Sequence, residues 1–195
     1  MRKLLIFLTL ISMTIVCHSQ IKFYTIPLGL SYDDFDSQLQ AKRFIPDTAY
    51  NERSDTSFLY KGLLMTRNVD VMVSVTPGTK TVWKVDIYFP NVNSWQIVKN
   101  DFFEACSTMN KNYGTPKEQI TSFTYPYRDG DGYELQAISK KKCIYQYHWE
   151  IRYGTVQVVI VSPNDNSAQV IISYVDKQAS AIFEAEKGQN IKKEK

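Results

Sequence analysis

The sequence predicts an α+β fold in which a helix laid on an antiparallel sheet occurs twice, behind a cleavable leader. Three observations predict it. Apolar residues recur at three- and four-residue steps between Asn93 and Tyr113, the stripe of an amphipathic helix. Several other segments alternate apolar and polar residues with period two, as strands with one covered face do. The order helix then strands is met twice, in 20–90 and again in 91–176.

The chain opens with Arg2 and Lys3, an apolar run from Leu4 to Val16, and small residues before Gln20. That is the layout of a secretory signal peptide over 1–19, cut after Ser19. The run is shorter than the ~20 apolar residues of a membrane span. Val16 stands where a lipoprotein leader carries Gly, Ala or Ser, which argues against a lipid anchor at Cys17. The mature chain is read as exported, periplasmic or extracellular, with no membrane span.

Ser31 is the expected cap of the first helix, with Asp34 at the third position and Leu30 and Phe35 as a staple. Strands are expected over Ser57–Leu63, Asp70–Thr76 and Thr81–Phe89, where Val71, Val73 and Val75 share a face and Pro77-Gly78 turns the chain. The second helix is expected to start at Asn93, with Gln96 completing a capping box, and to end at Gly114 before Pro116. Strands then follow over Ile120–Tyr127, Cys143–Tyr153, Thr155–Ser162 and Ala168–Val175. A short helix fits between them, capped by Asp131 with Glu134. The tail, 177–195, is charged and partly helical around Ala181 to Glu186.

The helix-opening segments Ile26-Pro27-Leu28-Gly29-Leu30-Ser31-Tyr32-Asp33-Asp34-Phe35 and Pro90-Asn91-Val92-Asn93-Ser94-Trp95, with Asn112-Tyr113-Gly114-Thr115-Pro116, resemble repeats of the β-lactamase-inhibitor-protein-like fold. Small outer-membrane lipoproteins of the SmpA/OmlA type share that fold group. The chain is also similar to uncharacterised secreted bacterial proteins with the same Tyr-Gly-x-Pro step. The resemblance implies a short helix leading into a curved antiparallel sheet, and protein binding or envelope assembly rather than catalysis.

Charge and composition exclude several functions. The chain holds 23 basic and 20 acidic residues; without Arg2 and Lys3 the basic count is 21. So balanced a chain lacks the basic surplus that nucleic-acid binders use against phosphates. The mature part keeps one histidine, His148, and two cysteines, Cys106 and Cys143, too few for a Cys/His zinc site. No metal site and no cofactor is expected. In an oxidising compartment Cys106 and Cys143 are open to pairing as a disulfide, or to standing as two buried thiols.

Asp129-Gly130-Asp131-Gly132 with Glu134 has the alternating carboxylates of a calcium loop, but a full loop needs more oxygen ligands, and a glycine turn is the simpler reading. His148 is the single candidate base, on the polar face of its strand beside Gln146 and Glu150, and no Gly-x-Ser-x-Gly elbow accompanies it. The carboxylates Glu150 and Asp131 are not placed together by any pattern, so glycoside cleavage lacks its pair. No catalytic residue is assigned.

The aromatic residues stand out instead. Phe123, Tyr125, Tyr127, Tyr133, Tyr145, Tyr147, Trp149 and Tyr153 fall within 31 positions. Tyrosine buries a large area while keeping a polar tip, and is enriched at binding surfaces. The face from Cys143 to Tyr153 is expected under a helix, whereas Tyr125, Tyr127 and Tyr133 near the turn are expected at the surface. Three functions remain in order. The first is an exported, non-enzymatic binding module for a protein, a peptide or a glycan, contacting it through Tyr125, Tyr127, Tyr133 and His148. The second is an accessory protein of cell-envelope assembly. The third is a hydrolase using His148.

Overall fold

The computed structural model describes residues 21–193, so the leader expected over 1–19 lies outside the described residues. A ribbon of β1 (Lys22–Phe23) and β2 (Ile26–Pro27) precedes α1 (Tyr32–Ala41). Then come β3 (Ile45–Pro46), the one-turn α2 (Thr48–Asn51), β4 (Ser57–Leu64), β5 (Arg67–Val75) and β6 (Val82–Tyr88). α3 (Trp95–Tyr113) opens the same series again: β7 (Glu118–Phe123), α4 (Glu134–Ser139), β8 (Cys143–Ile151), β9 (Gly154–Asn164) and β10 (Ser167–Asp176). α5 (Lys177–Lys193) follows β10 directly. The class is α+β.

All strands from β3 to β10 join one antiparallel sheet in the order β3-β4-β5-β6-β10-β9-β8-β7. The last strand of each series meets the other at the centre, from Tyr88 opposite Ile171 to Lys84 opposite Val175. Each half therefore reads outward from the middle in reverse chain order. The likeness extends to the segments before the long helices. Ser31 ahead of α1 bridges Thr81 just before β6, and Val92 ahead of α3 bridges Ala168 near the start of β10.

Local chemistry explains the starts. Ser31 Oγ accepts from the Asp34 N–H at 3.3 Å and donates to the Asp34 carboxylate at 2.7 Å, a reciprocal cap. α3 departs from expectation: its cap is Ser94, with no side-chain cap bond, and the Gln96 amide reaches forward to Asn100 instead. Gly114 does end α3, at φ +79, where a Cβ is disfavoured. α5 starts earlier than its composition suggests, because Asp176 Oδ1 accepts from the Ala179 N–H at 2.8 Å.

Strand alternation puts Val71, Val73, Val85, Ile87, Val158 and Ile172 in one interior layer. Phe35 and Leu39 of α1, and Val98, Phe102, Cys106 and Met109 of α3, are buried in the same layer. Burying a side chain of this size contributes about 1.5–3 kcal/mol. The odd face of β8 belongs here: the Phe102 ring lies 5.5 Å from Tyr145 and 5.3 Å from Tyr147 at near-perpendicular angles. Trp149 is buried and its Nε1 donates to Gly114 O at 3.0 Å, locking the end of α3 to β8.

A cross-strand row runs over the opposite face. Asp86 stands opposite Ser173, Ser173 opposite Gln157, Gln157 opposite His148, and His148 opposite Glu118. The buried Asp86 carboxylate pairs with Lys84 at 2.8 Å and accepts from Ser173 Oγ at 2.6 Å, so its charge is compensated. Cys106 and Cys143 are both buried as free thiols.

Candidate functional site

The tyrosines singled out by the sequence converge at the end of β7. That strand stops at Phe123, four residues short of the expected Tyr127. The chain turns there: Thr124 N–H donates to Lys142 O at 2.7 Å, Tyr127 N–H donates to Thr124 O at 3.2 Å, and the Tyr125–Pro126 peptide is cis. Gly130 and Gly132, both at φ +81, carry the chain through left-handed conformations into α4. Tyr125, Tyr127, Arg128, Asp131, Tyr133 and Gln136 line a groove of about 810 Å³.

The three carboxylates of this turn all point to internal partners. Asp129 takes a 2.6 Å ion pair from Lys99 and a 3.3 Å bond from Trp95 Nε1, which fastens the loop to α3. Lys99 holds the Asp129 carboxyl below its usual range against the opposing pull of burial, and is itself raised by the same pair. Asp131 accepts from the main-chain N–H of Arg128 at 2.9 Å and of Tyr133 at 2.8 Å. Glu134, buried, accepts from Gly130 N–H at 2.9 Å. The expected capping box of Asp131 with Glu134 does not form: Tyr133 occupies the cap position without a side-chain cap bond. Among the described residues no three His, Cys, Asp or Glu side chains are grouped to hold a metal.

With the loop so braced, its aromatic residues divide. Tyr127 is half-buried, and its hydroxyl donates to Gln136 Oε1 at 3.1 Å. Tyr125 is 90% exposed and Tyr133 62% exposed. An exposed tyrosine on a braced loop loses little conformational freedom when it meets a ligand.

His148 is not part of this groove. It is half-exposed on β8 opposite Glu118, at the far end of the pairing that finishes with Phe123 opposite Cys143. Five strand residues at ~3.3 Å each put about 17 Å between the two ends. Both thiols lie in the interior layer, and burial pushes each up to about 12; for Cys143 the nearby Asp129 and Glu134 charges add to it. Neither supplies a thiolate near neutral pH.

Sequence reasoning gave no contact role to four cations, of which Arg128 lines the groove and Lys140, Lys141 and Lys142 follow α4. Arg128, Lys140, Lys141 and Lys142 are exposed. The turn that carries the lysines is held beside the groove, because Lys142 donates to Ala137 O at 2.7 Å and accepts from Thr124. The run of three lysines after the short helix was the available signal. No family model matches the chain, and no curated protein and no solved structure matches it.

Proposed function

We propose that the protein is an exported, non-enzymatic binding module whose contact surface is the groove between the end of β7 and α4. The observation that carries this is the pair of outward tyrosines, Tyr125 and Tyr133, on a loop whose carboxylates are all bonded within the chain. Large aromatic side chains left in water on a braced loop are a feature of recognition surfaces, since packing gives no reason to keep them there. The same reading takes the chain as a relative of the β-lactamase-inhibitor-protein-like group, on an element series that occurs twice. It gives His148 no catalytic task, because both cysteines are buried away from the strand face that carries it.

The test is capture of partners from the native cell envelope by the wild-type chain and by Tyr125→Ala combined with Tyr133→Ala. The partner set is expected to be lost with the double substitution while the far-ultraviolet circular dichroism stays the same. An unchanged partner set overturns the assignment of this surface.

A further inference from the structure

The two edges of the eight-stranded sheet are finished differently. At one edge β3 is two residues long and ends in Pro46, so it offers almost no free main chain. At the other, β7 runs six residues, Glu118–Phe123, with no proline and no lysine inside it. Natural sheets blunt their edges with short strands, prolines and lysines. Only the β3 edge is blunted in this way.

The register says which groups β7 leaves open. Thr124 donates to Lys142, its cross-strand partner by continuation of the pairing from Phe123 opposite Cys143. Alternation from that bond points Ile120 and Ser122 main-chain groups at β8 and turns those of Gln119, Thr121 and Phe123 outward. No other strand of the described residues pairs with this side. Beyond Phe123 the chain enters the tyrosine groove within two residues.

Exposed cations cluster at the Phe123 end of this edge. Arg128 and Lys140 to Lys142 form no ion pair among the described residues. Lys99 neutralises Asp129, whereas Asp131 and Glu134 accept from main-chain N–H groups and keep their charge, Asp165 sits at Ser139 beside Lys140, and Glu118 lies at the other end of β7. Four cations against Asp131, Glu134 and Asp165 leave this end of the edge with a small positive excess, concentrated on the three consecutive lysines.

We propose that the free edge of β7 and the adjoining tyrosine groove take an acidic peptide in extended conformation, added to the sheet as a further strand with its carboxylates on Arg128 and Lys140 to Lys142. The inference rests on the groove being the contact surface and names the class of ligand it takes. Main-chain hydrogen bonds to Gln119, Thr121 and Phe123 supply register, and the tyrosines and cations supply selectivity.

The probe is a random twelve-residue peptide library displayed on phage and panned against the chain beginning at Gln20. Enriched peptides are then synthesised and titrated by fluorescence anisotropy. Enrichment of acidic residues is expected, with affinity falling steeply as salt rises. Thr121→Pro removes one outward donor at a position where an edge strand tolerates proline. Binding is expected to weaken at least tenfold, and again with Lys141→Glu plus Lys142→Glu. Gln119→Pro is the second variant if Thr121→Pro fails to fold by circular dichroism. No enrichment, or enrichment of neutral or basic peptides, overturns the inference. Peptides that need Tyr125 and Tyr133 but ignore the prolines and the charge reversals overturn the added strand and leave the groove standing. Peptides indifferent to both tyrosine substitutions overturn the groove reading and this inference with it.

Discussion

Gly62 is a position where one added carbon should disturb the packing. It lies on β4, opposite Val69 of β5, with the buried ring of Phe44 directly over it. A Cβ built there meets Phe44 Cδ1 at 2.2 Å, Cε1 at 2.4 Å and Cγ at 2.9 Å, against an ordinary contact of 3.4 Å or more. The ring has to retreat by more than an ångström. It has little room, since the Phe23 ring stands 5.6 Å away and Tyr24 5.9 Å away, both edge-on. Overpacking of this kind costs about 1–3 kcal/mol. Replacing glycine by alanine inside a strand regains about 0.5–1 kcal/mol of backbone entropy. The net expectation for Gly62→Ala is a loss of about 1.5 kcal/mol, or a fall of roughly 3–6 °C in Tm for a chain of this size. Phe44→Ala alone should cost about 3–5 kcal/mol. If the clash is the whole cause, the double substitution costs slightly less than Phe44→Ala, a coupling of about 2 kcal/mol in the cycle. Urea unfolding followed by circular dichroism reads all four species. A neutral Gly62→Ala, or single losses that simply add, refutes the argument.

The remaining expectations concern the buried ionisable groups. Ellman's reagent should find neither Cys106 nor Cys143 reactive in the native chain and both reactive in guanidinium without reductant. A count of zero in both states reveals a disulfide between Cys106 and Cys143 and overturns the description of two free thiols. Stability should also fall in alkali. Unfolded thiols lose their protons near the ordinary 9.0, whereas burial holds the folded ones to about 12. Between those values the unfolded chain binds fewer protons, so the free energy of unfolding decreases as pH rises. Tyr60 and Tyr174 act in the same direction, since burial raises both above 10.0, helped at Tyr60 by its hydrogen bonds to Tyr32 and Asp36. A urea midpoint that stays level or climbs between about pH 8 and pH 11 contradicts this.

Much of the fold could be read from local pattern. The stripe from Val98 to Met109 and the alternation of Val71, Val73 and Val75 hold in place because burial follows the same periods as the backbone. The reciprocal cap of Ser31 and Asp34 formed because both partners lie within one turn. Other features depend on residues far along the chain. Asp129 and Trp95 are 34 positions apart, and their bond brings the loop against α3. β7 stops at Phe123 because, after one further cross-strand bond from Thr124 to Lys142, the turn closed by Tyr127 N–H on Thr124 O takes the chain away from β8. Asp131 and Glu134 have the spacing of a capping box, yet Asp131 accepts from the Arg128 and Tyr133 N–H groups and Glu134 from that of Gly130. Of the candidate contact residues, Tyr125, Tyr127 and Tyr133 come together and His148 stands apart.

By itself the sequence determined the α+β class, the faces of the long helices, and the strands whose alternation marks one covered side. Those properties are set by neighbours within a few residues, where side-chain period and backbone geometry coincide. Only the tertiary structure decided that β6 and β10 meet at the centre, that β3 and β7 become the edges, and that Gly62 must stay bare under Phe44. It also separated tyrosines that look alike in sequence: Tyr145 lies under α3, while Tyr125 stands in water. A tyrosine has the same affinity for either place, and what lies opposite it in space assigns it to core or to contact.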